Sequence, residues 1–292
     1  MITGSIVALV TPMTDDGQVD FQALQGLVDW HVESGTDAIV SVGTTGESAT
    51  LVVDEHLEVI RRTLAYADGR VPVIAGTGAN ATAEAVELTA AAAGIGVQAC
   101  LLVTPYYNKP PQEGLYRHYR TVAEAVDVPL ILYNVPGRTG CDMQPETVAR
   151  LAEIDNIVGV KEAHGTLPRM QELLDLGMKD FAIYSGDDLT ACDSILMGCH
   201  GDISVTANVA PELMHRMCAA ALAGDRDHAK DLDARLAPLH QNLFLEPNPI
   251  PAKWALQQMG RIPAGIRLPL VPLSETNQSA VRDAMRAAGA IE

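Results

Sequence analysis

Several things this 292-residue chain lacks narrow the problem. Its cysteines are few, odd in number and scattered: Cys100, Cys141, Cys192, Cys199 and Cys218, with no Cys-x-x-Cys. That excludes a disulfide scaffold and a thiolate zinc site, and it fits free thiols in a reducing cytoplasm. No apolar run is long enough for a membrane span. The first residues, Met1-Ile2-Thr3-Gly4-Ser5, carry no basic region, so no signal peptide is expected. Cations are scarce: 20 Lys and Arg against 37 Asp and Glu give a formal charge of −17, which argues against nucleic-acid or anionic-membrane binding. An anionic substrate must therefore be held by local cations. Aromatic residues make up only 4 %, so any clustering of them carries information.

What is present is a hydrophobic content of 48 %, enough for a large buried core. Short apolar, β-branched runs at 5–10, 38–42, 72–75, 99–103, 130–133, 157–161, 181–184 and 202–205 read as strands. Amphipathic stretches at 21–33, 54–67, 81–93, 112–126, 145–154 and 167–176 read as helices, with Asp20 and Thr166 at N-cap positions. Eight strand–helix units predict an α/β fold, a TIM (β/α)8 barrel. A doubly wound sheet competes, but its first crossover usually carries Gly-x-Gly-x-x-Gly, and here that crossover is Thr11-Pro12-Met13-Thr14-Asp15. Gly76-Thr77-Gly78 lacks the third glycine and reads as a turn requirement. With an eighth helix near 211–223, the barrel occupies residues 1–224. Helical patterns at 225–243, 250–259 and 277–288 then predict a small C-terminal helical domain over 225–292.

In such a barrel the working residues sit where strands end. The second strand runs into Gly43-Thr44-Thr45-Gly46-Glu47-Ser48, and the fourth into Thr104-Pro105-Tyr106-Tyr107-Asn108-Lys109-Pro110. The fifth ends in Tyr133-Asn134-Val135-Pro136-Gly137-Arg138-Thr139-Gly140, the sixth on Lys161-Glu162-Ala163, and the seventh in Ser185-Gly186-Asp187-Asp188. A lysine ending a buried strand loses hydration, which favours the neutral, nucleophilic amine, and the chemistry open to it is a Schiff base with a carbonyl compound. Taken alone, Lys161 also suits a side chain that snorkels to water. Three tyrosines at the same face, Tyr106, Tyr107 and Tyr133, point to chemistry instead. A tyrosine hydroxyl beside a threonine hydroxyl can shuttle the protons that imine formation requires. Tyr133 is the candidate relay, with Thr44 or Thr45 beside it. The same threonines and the turn after them can hold a keto-acid carboxylate. Arg138 offers a fork for a second carboxylate, although an ordinary surface ion pair is its other reading. The Asp187-Asp188 pair reads as a helix cap.

These motifs, in this order and spacing from Gly4-Ser5-Ile6-Val7-Ala8-Leu9-Val10-Thr11-Pro12 to Arg267-Leu268-Pro269-Leu270, resemble the dihydrodipicolinate synthase family of pyruvate-dependent class I aldolases. The resemblance implies a lyase that condenses pyruvate, as a Lys161 imine and enamine, with L-aspartate 4-semialdehyde in the diaminopimelate route to L-lysine. It implies Tyr133 as relay, Thr44 linking it to a Tyr107 from a neighbouring subunit, and Thr45 with Thr44 on the pyruvate carboxylate. Arg138 would receive the aldehyde, and Gly186 and Ile203 would line the lysine's pocket. No metal or organic cofactor is implied. The expected assembly is a homotetramer, a dimer of tight dimers. An allosteric L-lysine site would use Ser48, Ala49, His56, Asn80, Glu84 and Tyr106, with Asn80 and Glu84 four apart on one helical face. Two positions depart from the family pattern: Val53 replaces a frequent histidine, and His164 a usual threonine. Sister enzymes such as N-acetylneuraminate lyase or keto-sugar-acid aldolases share the lysine and tyrosine, whereas Arg138 and the 106–110 segment favour the condensing enzyme. A non-catalytic keto-acid sensor would be expected to lose one of these groups, and none is missing.

Overall fold

Residues Met1–Glu292 are all described by a computed structural model. Eight strands pair in parallel and in chain order: β1 (Gly4–Ala8), β2 (Ala38–Ser41), β3 (Val73–Gly76), β4 (Ala99–Val103), β5 (Leu130–Asn134), β6 (Ile157–Glu162), β7 (Ala182–Ser185) and β8 (Gly201–Ser204). β8 closes on β1, with Gly4 opposite Gly201 and Ile6 opposite Ile203. The expected TIM barrel is therefore the fold.

Alternation along each strand sorts its side chains. Ile6, Ala8, Val40, Ile74, Leu101, Ile131, Tyr133, Tyr184 and Ile203 pack inside the barrel. Their neighbours, among them Val7, Ile39, Leu102, Leu132 and Val160, face outward into a larger core shared with the helices. Both faces are dry, which is why the strands read as continuous apolar runs. Burying each large aliphatic side chain contributes about 1.5–3 kcal/mol.

The surrounding helices are α1 (Phe21–Glu33), α2 (Val53–Ala67), α3 (Thr82–Ile95), α4 (Gln112–Ala125), the single turn α5 (Pro136–Thr139), α6 (Pro145–Leu151), α7 (Leu167–Asp175), α8 (Asp188–Met197) and α9 (Pro211–Leu222). Asp20 caps α1 as expected, accepting from the N–H groups of Gln22 at 3.0 Å and Ala23 at 2.9 Å. Thr166 precedes α7 but does not cap it; its hydroxyl meets the His164 ring at 3.1 Å. Pro168 in that first turn lacks an N–H, which removes one donor a cap would serve. Asp187 does cap α8. Asp188 does something the sequence did not suggest. It is buried and accepts from the Ser204 hydroxyl at 2.5 Å and the Val205 and Thr206 N–H groups at 3.1 and 3.0 Å, tying α8 to the exit of β8.

Gly76 and Gly78 serve close backbone approach rather than a turn. A Cβ on Gly76 would stand 2.3 Å from the Val42 carbonyl oxygen, and one on Gly78 2.3 Å from the Val103 nitrogen. Beyond the barrel, α10 (Arg226–Asn242) runs against α8 and α9, and α12 (Glu275–Ala287) packs on α10 and on α11 (Ile250–Gln258). The segment before α11 and α11 itself bring Asn248 and Lys253 to the C-terminal rim of the barrel. All five cysteines are buried and unpaired. No helix is long and apolar enough to cross a membrane.

Candidate active site

The C-terminal ends of the strands enclose a cavity of about 130 Å3. Ala8, Val40, Thr44, Thr45, Leu101, Tyr133, Arg138, Lys161 and Gly186 are among its walls. The register explains the central pair: Lys161 lies opposite Tyr133 on one side and Tyr184 on the other, so all three face inward. Lys161 is 5 % exposed, and its Nζ sits 4.5 Å from the centroid of the Tyr133 ring. A Cβ on Gly186 would fall 2.6 Å from Lys161 Cε, so glycine there leaves the space the lysine side chain occupies.

The threonine pair is positioned by a strained loop. Val42 and Glu47 bracket it with φ of 56° and 57°, in the left-handed region that a β-branched residue rarely adopts. The loop is closed from below by Glu47, whose buried carboxylate forms an ion pair with Lys253 and accepts from the Arg267 N–H at 3.2 Å. Thr45 is buried and its hydroxyl oxygen accepts from the Asn248 amide at 2.9 Å. Arg138, on the one-turn helix α5, donates to the Asn248 carbonyl at 3.2 Å. Its guanidinium lacks an acidic partner within ion-pair distance, so the surface ion-pair reading does not hold.

Two of the expected residues stand apart. Ile203 belongs to the inner cluster with Tyr133 but is not a wall of the cavity. Tyr107 is 89 % exposed at φ 74° and is not a wall of Lys161's cavity within its own chain.

A second cavity, about 380 Å3, adjoins the first and shares Thr44, Val135, Arg138 and Asn248 with it. It brings together Ser48, Ala49, His56, Glu84 and Tyr106, with Val53 also on its wall. Asn80 lies beside it, its amide donating to the Tyr106 carbonyl at 3.3 Å. Asn80 and Glu84 do not share a helical face, because α3 begins at Thr82; Asn80 is in the preceding loop. His56 donates to the Gly76 carbonyl at 2.8 Å, and burial holds its pKa below the usual value. Burial, and then the nearby Glu84, push the Tyr106 hydroxyl upward.

Sequence reasoning missed several residues here. Asn248 joins both cavities, yet its only sequence signal is a polar residue between Pro247 and Pro249. Phe244 also lines the smaller cavity. Lys253 does carry a signal: a lysine between Ala252 and Trp254 in an apolar helix is as costly as one ending a strand.

A model of the dihydrodipicolinate synthetase family matches residues 1–288. The 4-hydroxy-tetrahydrodipicolinate synthase of Alcanivorax borkumensis is 64 % identical over 292 residues, covering 100 % of this chain and 99 % of that protein. The crystal structure of a chloride-inhibited dihydrodipicolinate synthase from Acinetobacter baumannii, complexed with pyruvate, is 57 % identical with a TM-score of 0.99 over 100 % of both chains. The structure of the enzyme from Cyanidioschyzon merolae with lysine bound is 40 % identical with a TM-score of 0.96, over 99 % of each chain.

Proposed function

The chain belongs to the dihydrodipicolinate synthetase family, and we propose that Lys161 is the nucleophile on which it holds its keto acid. The enzyme is a lyase that condenses pyruvate with L-aspartate 4-semialdehyde on the diaminopimelate route to L-lysine. The observation that carries the role of Lys161 is its burial beside the Tyr133 ring in a cavity walled by Thr44, Thr45 and Arg138.

The amine of Lys161 adds to the ketone of pyruvate, and the carbinolamine loses water to give an imine. Each proton transfer needs a group that both donates and accepts, and the Tyr133 hydroxyl serves. Loss of a methyl proton gives the enamine, whose carbon attacks the aldehyde. The amine of the aldehyde substrate then displaces Lys161 and closes the ring. The protonated imine is the electron sink, so the chemistry calls for no metal or organic cofactor. Thr44 and Thr45 hold the pyruvate carboxylate, and Arg138 takes the carboxylate of the semialdehyde. Gly186 keeps the lysine's path clear.

Tyr107, exposed within its own chain, reaches the site of a second copy and links to Thr44, which makes a dimer the smallest complete unit and a dimer of tight dimers the full assembly. The larger cavity takes L-lysine, with Glu84 receiving its amine. The five buried free thiols suit a cytoplasmic setting.

The test is incubation with pyruvate and borohydride followed by mass spectrometry. One pyruvate-derived adduct on Lys161 is expected, absent in Lys161→Ala. Arg138→Ala keeps the adduct and loses condensation. A wild-type protein that forms no adduct overturns the proposal, and Arg138→Ala with normal aldehyde kinetics removes the role given to that arginine.

A further inference from the structure

Behind the reacting pair lies a buried polar cluster that the chemistry above does not use. Neighbouring residues on a strand face opposite sides. Tyr133 and Lys161 point into the barrel, so Asn134 and Glu162, paired in the same register, point into the helix layer. Asn134 is fully buried and Glu162 is 2 % exposed.

Every hydrogen bond to the Glu162 carboxylate comes from a donor. The Asn134 amide reaches its two oxygens at 3.1 and 3.0 Å, and the His164 N–H reaches Oε1 at 2.8 Å. Arg169 Nη1, from α7, lies 3.6 Å from Oε2. Asn134 is held in turn: its amide donates to Asp142 at 2.8 Å and its oxygen accepts from the Met143 N–H at 2.9 Å. Arg169 is shared, bonding Asp142 through both terminal nitrogens at 2.9 Å and meeting Glu172 at 3.2 Å. One guanidinium thus serves three carboxylates.

We propose that Glu162 is a positioning residue: its ionised carboxylate latches the ends of β5 and β6 so that Tyr133 and Lys161 stay at reacting distance, and protonation releases the latch. This rests on the Schiff-base role given to Lys161. A neutral carboxyl would bring an O–H into a ring of donors. The neighbouring carboxylate, Asp142, is already engaged by Arg169, Asn134 and Gln144. The charged and titratable groups that face Glu162 are Asp142 from the loop after α5, Arg169 and Glu172 from α7, and His164 from the loop after β6, with Lys161 on the opposite face of its own strand. Burial, with a smaller push from the Asp142 charge and only partly offset by the Asn134 and His164 donors and by Arg169, raises the Glu162 carboxyl to about 7. Asp142, despite its own burial, is held below the usual range by Arg169 and Asn134 and stays ionised. The switch therefore falls near neutrality: latched above, released below.

The test is the rate of pyruvate adduct formation on Lys161 of the full-length protein, trapped by cyanoborohydride and read by mass spectrometry between pH 5.5 and 8.5. Wild type should lose rate as pH falls through its midpoint, over the width a single proton requires, and level off on the order of tenfold lower. Glu162→Gln should show a rate on the order of tenfold lower at pH 8, as expected for misplaced reacting groups, with that acid limb flattened. Arg169→Met, which removes the cation favouring the carboxylate, should move the limb to higher pH. A Glu162→Gln protein slowed equally at every pH, with the wild-type midpoint, would mean a merely structural role and sink the proposal. If Glu162→Gln does not fold, an unmoved limb in Arg169→Met sinks it alone. No wild-type adduct at any pH would instead remove the Schiff-base role itself.

Discussion

The Glu47–Lys253 pair offers a demanding test, because it joins the threonine loop to the C-terminal helices across more than two hundred residues of sequence. The Glu47 side chain is fully buried and that of Lys253 is 5 % exposed. Besides the ammonium, the carboxylate has one further donor, the Arg267 N–H. Lys253→Met keeps the apolar volume and deletes the charge. The carboxylate left behind must stay buried without its counterion or take up a proton, and breaking a buried pair in this way costs about 3–5 kcal/mol. Glu47→Gln should cost less, because burial already lowers the Lys253 pKa, so the stranded lysine can shed its proton and end as a neutral amine. The double variant Glu47→Gln/Lys253→Met should recover most of the loss, since two neutral groups then face each other. Urea unfolding followed by the fluorescence of Trp254, the residue after Lys253, reads all three. If Lys253→Met falls within about 1 kcal/mol of wild type, or the double variant is as unstable as the sum of the singles, the pair is not what holds the loop. A functional corollary follows from the same geometry: Lys253→Met should raise the KM for pyruvate, because Thr45 lies on the loop Glu47 closes.

Gly186→Ala should fold normally yet form no pyruvate adduct, since its Cβ would fall 2.6 Å from Lys161 Cε; circular dichroism and mass spectrometry together decide this. His31 is fully buried, and burial, helped by Arg261, holds its pKa down at about 3. The unfolded chain binds that proton near 6.5, so stability is complete above that pH and is lost as pH falls toward 3, by up to about 5 kcal/mol. His31→Asn should flatten this part of the acid-unfolding curve, and an unchanged curve contradicts the assignment. On the proposal that the larger cavity takes L-lysine, Glu84→Gln should weaken inhibition by L-lysine on the order of tenfold, the scale of one hydrogen bond to a charged group; an unaltered inhibition curve removes Glu84 from that site.

The barrel was legible because its strands are dry on both faces and its helices on one, so each element leaves its own period in the sequence. The inner face of the site was legible for the same reason: Lys161 and Tyr133 end adjacent strands, and strand ends can be read directly. Their outer neighbours were not. Asn134, Asp142, Glu162 and Arg169 meet only because the β5–β6 pairing sets Asn134 opposite Glu162 and α7 folds back over them, and nothing in their spacing announces it. The single turn at Pro136–Thr139 hid behind a Pro-Gly pair that reads as a plain turn. Asn80 was misplaced on α3 because helix starts drift by a residue or two when no side chain caps them, and the cap position here is Ala81.

The buried cysteines give the molecule an internal record of how it comes apart. Alkylating reagents attack thiolates. Burial pushes Cys100 and Cys199 up to about 12 and Cys192 to about 11, and raises Cys141 and Cys218 as well. At mildly alkaline pH each thiol therefore stays silent until its own surroundings open. Cys100 reports on β4, Cys141 on the loop after α5, Cys192 on α8, Cys199 on the approach to β8, and Cys218 on α9. The order in which iodoacetamide finds them under partial denaturation should trace the sequence in which the barrel wall is breached, stave by stave, without a single engineered label.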